Sequence, residues 1–132
     1  SLVLLSRDYL LPGCVRIPHH LQTRKMVKVN FHGHPCEKMK AHIAPHYQMV
    51  DIPRCAAEQY PRLVLGVNDL SIFERTLAWD HAAGVLFVNE AGGKVARPDG
   101  RPYRADEHLQ PGLIGAASPA LWDDLAARMA GI

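Results

Sequence analysis

The sequence lacks several features that define whole classes of protein. None of its apolar runs approaches the roughly 20 residues that a membrane-spanning helix needs. Its three cysteines, Cys14, Cys36 and Cys55, are an odd number, which argues against a disulfide framework and favours a reducing compartment. The apolar stretch at residues 2–5 is too short for a signal-peptide core, so we expect a cytoplasmic protein without a membrane partner.

The sequence also lacks a large excess of charge of either sign. Lys plus Arg number 15 and Asp plus Glu 13, so the net charge is only +2. A strongly basic nucleic-acid-binding surface is therefore not indicated. The cluster formed by Arg24, Lys25 and Lys28 has no interleaved aromatic residues, so we expect a solvated face rather than a partner that stacks bases.

What is present suffices for one folded domain. Of the 132 residues, 48% are apolar and 21% are charged. Segments with strand character alternate with segments of helical character, which predicts an α/β layered domain with a mixed central sheet flanked by helices. Residues 1–25 form an irregular N-terminal segment in this prediction, and residues 26–132 form the α/β domain. Strands are predicted at residues 26–31, 47–52, 70–74, 94–97, 101–103 and 113–116.

Helices are predicted between Pro35 and Pro45, at residues 54–66, at residues 80–91 and after Ser118. Ser118 followed by Pro119 is typical of an N-cap and a first helical residue. Pro61 conflicts with the second of these helices, because a proline inside a helix removes one hydrogen bond. We therefore expect a kink or a restart at Pro61.

Residues 79–93, with the sequence WDHAAGVLFVNEAGG, are the most informative stretch. They resemble the C-terminal signature of the inositol monophosphatase family, in which Trp-Asp precedes small and apolar residues and then Glu-Ala-Gly-Gly. Residues 54–57 resemble the small-residue segment that opens an upstream helix in that family, and residues 113–129 resemble its closing strand and helix. The resemblance covers roughly residues 26–132 and implies the fold of the family's C-terminal half.

The resemblance also implies a chemistry. The family hydrolyses phosphate monoesters with Mg²⁺, which activates a water and stabilises the leaving group. The Asp of its Trp-Asp pair is a metal ligand, which corresponds to Asp80 here. The family's other ligands, in a Glu-Glu pair and in Asp-Pro-(Ile/Leu)-Asp-Gly-Thr, do not occur in this sequence. We therefore assign no catalytic residue, and expect the chain to be inactive without the N-terminal domain that it lacks.

Substrate-binding positions follow from the same resemblance. The family's acidic residue upstream of Trp-Asp corresponds to Glu74, but the spacing is one residue shorter here than in the animal inositol enzymes, so Arg75 is an alternative. Ala56 and Ala57 match positions whose backbone faces substrate. A Glu would suit a polyol, whereas an Arg would suit a second phosphate or a sulfonucleotide. The phosphomonoester stays open among inositol phosphates, nucleotide bisphosphates, sugar phosphates and histidinol phosphate.

Other interpretations of the same residues remain. Asp80 could be a plain N-cap, and Trp79 is expected in the core. A zinc site is conceivable at His32, His34 and Cys36, with His19, His20 or His46 as a fourth ligand. Asp80, His81 and Ser118 suggest a hydrolytic triad, although no Gly-x-Ser-x-Gly motif is present. Cys55 beside Arg54 could be a reactive thiol.

A non-enzymatic alternative is an interaction or regulatory domain derived from that enzyme half. A face left uncovered by the absent domain would favour self-association, so we expect dimers or larger homo-oligomers.

Overall fold

The structure, a computed structural model, describes residues 27–33 and 37–130. Within this part of the chain, five strands form one sheet: β1 (Lys28–His32), β2 (Gln48–Met49), β3 (Leu70–Phe73), β4 (Lys94–Ala96) and β5 (Leu113–Ala116). Their order across the sheet is β2-β1-β3-β5-β4. β1 is parallel to β2 and β3, whereas β5 is antiparallel to β3 and β4. The predicted mixed sheet is confirmed.

Four α-helices of the described ranges cover the sheet: α1 (Glu37–Ile43), α2 (Ala56–Val64), α3 (Ala78–Glu90) and α4 (Pro119–Ala130). Side chains of α2 and α3 share one apolar cluster, in which Tyr60 and Leu63 meet Val85 and Val88. Ile43 of α1 joins a second cluster with residues of α4. The two crossovers that start at β1 and β2 run in opposite directions across the sheet, so right-handed connections place α1 and α2 on opposite faces. The strands β3 and β5 are buried along their whole length.

Three predicted elements differ from the structure. Residues 101–103 do not form the predicted strand, because only Pro102 pairs there, in an isolated antiparallel bridge with Ala96. β2 is shorter than the predicted strand at residues 47–52, because the chain leaves the sheet after the Val50 N–H donates to the Val29 carbonyl. α2 runs unbroken through Pro61, so the expected restart is wrong. The carbonyl that loses its helical donor belongs to Ala57, an exposed residue, and water can serve it there. None of the described helices is long and apolar enough to cross a membrane.

The start of α4 follows the prediction. Pro119 is the first helical residue, and the Ser118 Oγ accepts a hydrogen bond from the Leu121 N–H at 3.2 Å. The cap therefore satisfies one of the free N–H groups of the first turn.

Replacing Ser118 with Ala is expected to lower the free energy of unfolding by about 1 kcal/mol, because the cap is lost and the helix keeps its other contacts. Urea denaturation measures this change. Ser118→Thr keeps the capping oxygen and serves as the control, with an expected change below about 0.5 kcal/mol. Equal stability of the Ala variant and the wild type would show that the cap contributes nothing.

Candidate functional site

A cleft of about 490 Å³ lies at the carboxyl ends of the three parallel strands. β1 ends there in His32 and Gly33, the chain after β2 continues into residues 52–56, and the chain after β3 supplies Arg75. The strand order reverses between β1 and β3, and open α/β sheets bind ligands at such a switch point. The cleft is lined by His32, Gly33, Ile52, Pro53, Arg54, Cys55, Ala56, Phe73, Arg75, Leu77, Trp79, Asp80 and His81.

Two helices begin at this cleft. The N-cap residues of α2 and α3 are Cys55 and Leu77, and neither forms a side-chain capping bond in the described structure. A helix N-terminus carries a partial positive charge and unpaired N–H groups. Arg54 and Arg75 add two guanidinium groups to the same walls. The cleft therefore favours anionic groups.

Asp80 is the third residue of α3 and is exposed. The N-cap is Leu77, so the interpretation of Asp80 as a plain N-cap is wrong. Of the described residues that line the cleft, Asp80 alone carries a carboxylate. No group of three or more His, Cys, Asp or Glu that could hold a metal ion occurs among the described residues. Asp80 is thus a single carboxylate that is open to a ligand or to a further chain.

The predicted substrate residues lie in two places. Arg75 and Ala56 line the same cleft as Asp80. Glu74 instead approaches Gly33, where any side chain would overlap its carboxylate, and it lines a neighbouring apolar cavity of about 360 Å³. Ala57 is exposed on α2, and the cleft lining includes Ala56 but not Ala57.

Trp79 is not a core residue, contrary to expectation. Its side chain is 74% exposed, lines the cleft and stands edge-on to the His108 ring at 5.5 Å between centroids. The buried stripe of α3 contains His81, Val85 and Val88. Trp79 lies two positions before His81, or about 200° around the helix, so helical spacing alone could have placed it opposite the core.

An aromatic cluster beneath the cleft was not predicted. The Phe73 ring lies 4.6 Å from that of His32 and 4.9 Å from that of His81. The Tyr60 hydroxyl of α2 lies 2.6 Å from Nδ1 of His81 in α3, so this pair ties the two cleft helices together. Burial lowers the pKa of His81, opposed by the nearby charge of Asp80 and by a hydrogen bond to the backbone of Arg75. The signal for this cluster, aromatic residues on four separate elements, is visible only once the elements are packed.

His32 is expected to make stability depend on pH. Burial lowers its pKa to about 4, the Gln59 amide partly offsets this, and His81 lowers it further. The unfolded chain binds this proton near pH 6.5, so stability is complete above about pH 6.5 and is lost as the pH falls towards 4. Urea midpoints at pH 7 and pH 4.5 should therefore differ less in His32→Gln than in the wild type. An equal loss in both proteins would contradict this role.

The zinc and triad alternatives receive no support from the described residues. His34 and Cys36 of the zinc hypothesis lie outside the described ranges. Ser118 of the triad hypothesis caps α4 and does not line the cleft. Cys55 is exposed at the N-cap of α2.

The fold and the cleft together define an α/β domain whose anion-favouring site lies at the switch point of a mixed sheet. A family model described as the inositol monophosphatase family matches residues 10–130, and the chain belongs to that family. Membership supports a phosphatase-type function.

Individual relatives agree with the family model. A protein described as a putative mitochondrial 3'(2'),5'-bisphosphate nucleotidase of Arabidopsis thaliana is 32% identical over 69 residues, which cover 47% of this chain and 17% of the relative. An inositol monophosphatase structure from Anabaena has a TM-score of 0.71 at 19% identity, over 89% of this chain and 50% of that one. An IMPase structure from Thermotoga maritima has a TM-score of 0.70 at 20% identity, over 86% and 44%. The chain thus spans half or less of each of these proteins, and the structural likeness supports the fold.

Proposed function

We propose that this chain is the C-terminal domain of a Mg²⁺-dependent phosphomonoester hydrolase, with residues 1–25 as a preceding segment and residues 26–132 as the domain. The observation that carries the proposal is the exposed Asp80 carboxylate at the start of α3, within a cleft that otherwise favours anions. An N-terminal domain would supply the remaining metal ligands and the groups that position the attacking water.

The donor chemistry of Asp80 fits a magnesium ion. Mg²⁺ prefers hard oxygen ligands, and it is commonly held by one or two carboxylates together with substrate phosphate oxygens. When bound, the ion would supply an activated water and charge neutralisation at the phosphate. One carboxylate cannot build such a site, so we expect the 132-residue chain to be inactive alone.

The cleft residues favour a substrate with a second anionic group over a neutral polyol. Arg75 shares the cleft with Asp80, and Arg54 lines the same walls. Glu74, which would suit polyol hydroxyls, faces the neighbouring cavity instead. A small phosphorylated molecule that carries another phosphate or sulfate would meet both guanidinium groups and the two helix N-termini.

A second candidate is a non-catalytic interaction domain. It is supported by two exposed apolar side chains near the cleft, Trp79 at 74% and Leu109 at 81%. Under this proposal the chain forms homo-oligomers, and the same is expected when no N-terminal domain covers this face. We expect the protein to act in the cytoplasm. Light scattering that detects only monomers at high concentration would contradict self-association.

The test begins with the reading frame that encodes these residues. We expect it to encode Asp-Pro-(Ile/Leu)-Asp-Gly-Thr upstream, and the complete protein to release phosphate from phosphomonoesters with Mg²⁺ and to stop on addition of EDTA. The 132-residue chain, assayed beside it, should show no turnover. Full activity of the short chain would refute the divided site, and an inactive complete protein would refute the phosphatase assignment.

A further inference from the structure

Arg97 is a large charged side chain that forms no ion pair with any described residue. It follows β4 directly and is 2% exposed. Its Nη1 donates to the Thr76 hydroxyl at 3.1 Å and to the carbonyls of Gln110 and Gly112 at 2.9 and 3.0 Å. Its Nη2 donates to the Glu107 carbonyl at 2.9 Å. Among the described residues all of these partners are neutral, and Nε has none.

Burying a guanidinium costs desolvation free energy unless its N–H groups find hydrogen-bond acceptors. Here the fork joins three carbonyls of one loop to Thr76, which belongs to the connection between β3 and α3. The Tyr103 ring lies 5.1 Å from the guanidinium, and the Tyr103 hydroxyl donates to the Thr76 carbonyl at 2.8 Å. We name residues 97–112 the clamp segment.

The clamp segment contacts alternate residues of the β3–α3 connection. The Gly112 N–H donates to the Glu74 carbonyl at 2.9 Å, the Thr76 hydroxyl meets the carbonyls of His108 and Gln110, and the Ala78 N–H donates to Nδ1 of His108 at 3.3 Å. The residues between these tethers, Arg75 and Leu77, line the cleft, and so do Trp79 and Asp80 in the first turn of α3.

We infer that Arg97 is a positioning residue for the cleft. Acting through Thr76 and the clamp segment, it fixes the backbone that carries Arg75 and the first turn of α3 with Asp80. The contact geometry alone supports this positioning role, while its consequence for catalysis rests on the proposed function.

Native-state hydrogen exchange of the 132-residue chain tests the inference, because it separates local opening from global unfolding. In Arg97→Met and in Thr76→Val, amides of residues 75–80 and 105–112 should exchange at least about tenfold faster, whereas those of α4 should keep their wild-type rates. Arg97→Lys should resemble Arg97→Met, because an ammonium group cannot span four acceptors. Arg104→Met is the matched control: Arg104 lies in the clamp segment but pairs with Asp106 at the surface, and its loss should change nothing.

Equal acceleration across the whole chain would assign Arg97 a purely structural role and overturn the inference. Wild-type exchange in Arg97→Lys or in Thr76→Val would overturn it as well, and Thr76→Val decides the matter if Arg97→Met does not fold. In the complete enzyme, Thr76→Val should lower kcat/KM about tenfold, because Arg75 and the first turn of α3 with Asp80 lose their fixed positions. If the variants exchange faster at residues 75–80 and the complete protein has no phosphatase activity, the positioning role of Arg97 stands and the phosphatase assignment fails. If the complete protein is active and the variants keep wild-type exchange, the phosphatase assignment stands and the positioning role fails.

Discussion

Replacing Asp80 with Asn in the complete enzyme is expected to lower kcat/KM by about three orders of magnitude. The substitution removes one negative charge from the proposed magnesium site, and charge stabilisation by a catalytic metal is worth several kcal/mol. Because Asp80 is exposed and forms no cap in the described structure, the fold should persist. Phosphate release at saturating and at limiting Mg²⁺ measures the loss.

The control is Asp123→Asn, which removes an equal charge from α4, where Asp123 pairs with Lys94 at the surface. Its activity and its Mg²⁺ dependence should match the wild type. Asp80→Asn with normal activity, or with a loss shared by the control, would remove Asp80 from the proposed site.

Replacing Gly84 with Ala is expected to lower the free energy of unfolding by about 2 kcal/mol. A Cβ at this position would overlap the Tyr60 ring, which is fully buried. The ring has little freedom to move, since it stacks on Phe73 at 5.1 Å and its hydroxyl lies 2.6 Å from Nδ1 of His81. Overpacking of this kind typically costs 1–3 kcal/mol, and it outweighs the roughly 1 kcal/mol that Ala gains over Gly in a helix. Urea denaturation measures the difference.

Two further variants make this result specific. Ala83→Val adds volume at the neighbouring exposed position and should lower stability by no more than about 0.7 kcal/mol, the lower helix propensity of Val. In a Tyr60→Leu background, Gly84→Ala should cost less than about 1 kcal/mol, because the ring that it strikes is gone. An unchanged cost in that background would locate the strain elsewhere.

Sequence patterns predicted the mixed sheet, the last strand and the helix that contains Asp80. These elements depend on local signals: alternating apolar residues, a Ser-Pro start and a Gly-Gly stop. The family signature at residues 79–93 then placed Asp80 at the start of a helix. Such signals lie within one element or between neighbours in sequence.

The remaining features depend on how distant elements pack. Nothing local distinguishes Glu74 from Arg75 as the residue that enters the cleft, since the two are adjacent in an irregular connection. Arg97 ends a predicted strand, and nothing local indicates that three loop carbonyls and Thr76 enclose its guanidinium. The helix α2 tolerates Pro61 because the Ala57 carbonyl, which loses its hydrogen-bond donor, belongs to an exposed residue and can bind water.

The clamp segment contacts residues 74, 76 and 78, so the number of residues between β3 and Trp-Asp is tightly constrained. Inserting or deleting one residue would move the Thr76 hydroxyl away from the Arg97 guanidinium and from the carbonyls of His108 and Gln110, and would shift Arg75 relative to the cleft. We therefore expect homologues with this clamp to keep a hydroxyl at the position of Thr76, whereas a change of one in the number of residues between the strand and Trp-Asp should accompany a change in the chemistry of the molecule that is bound.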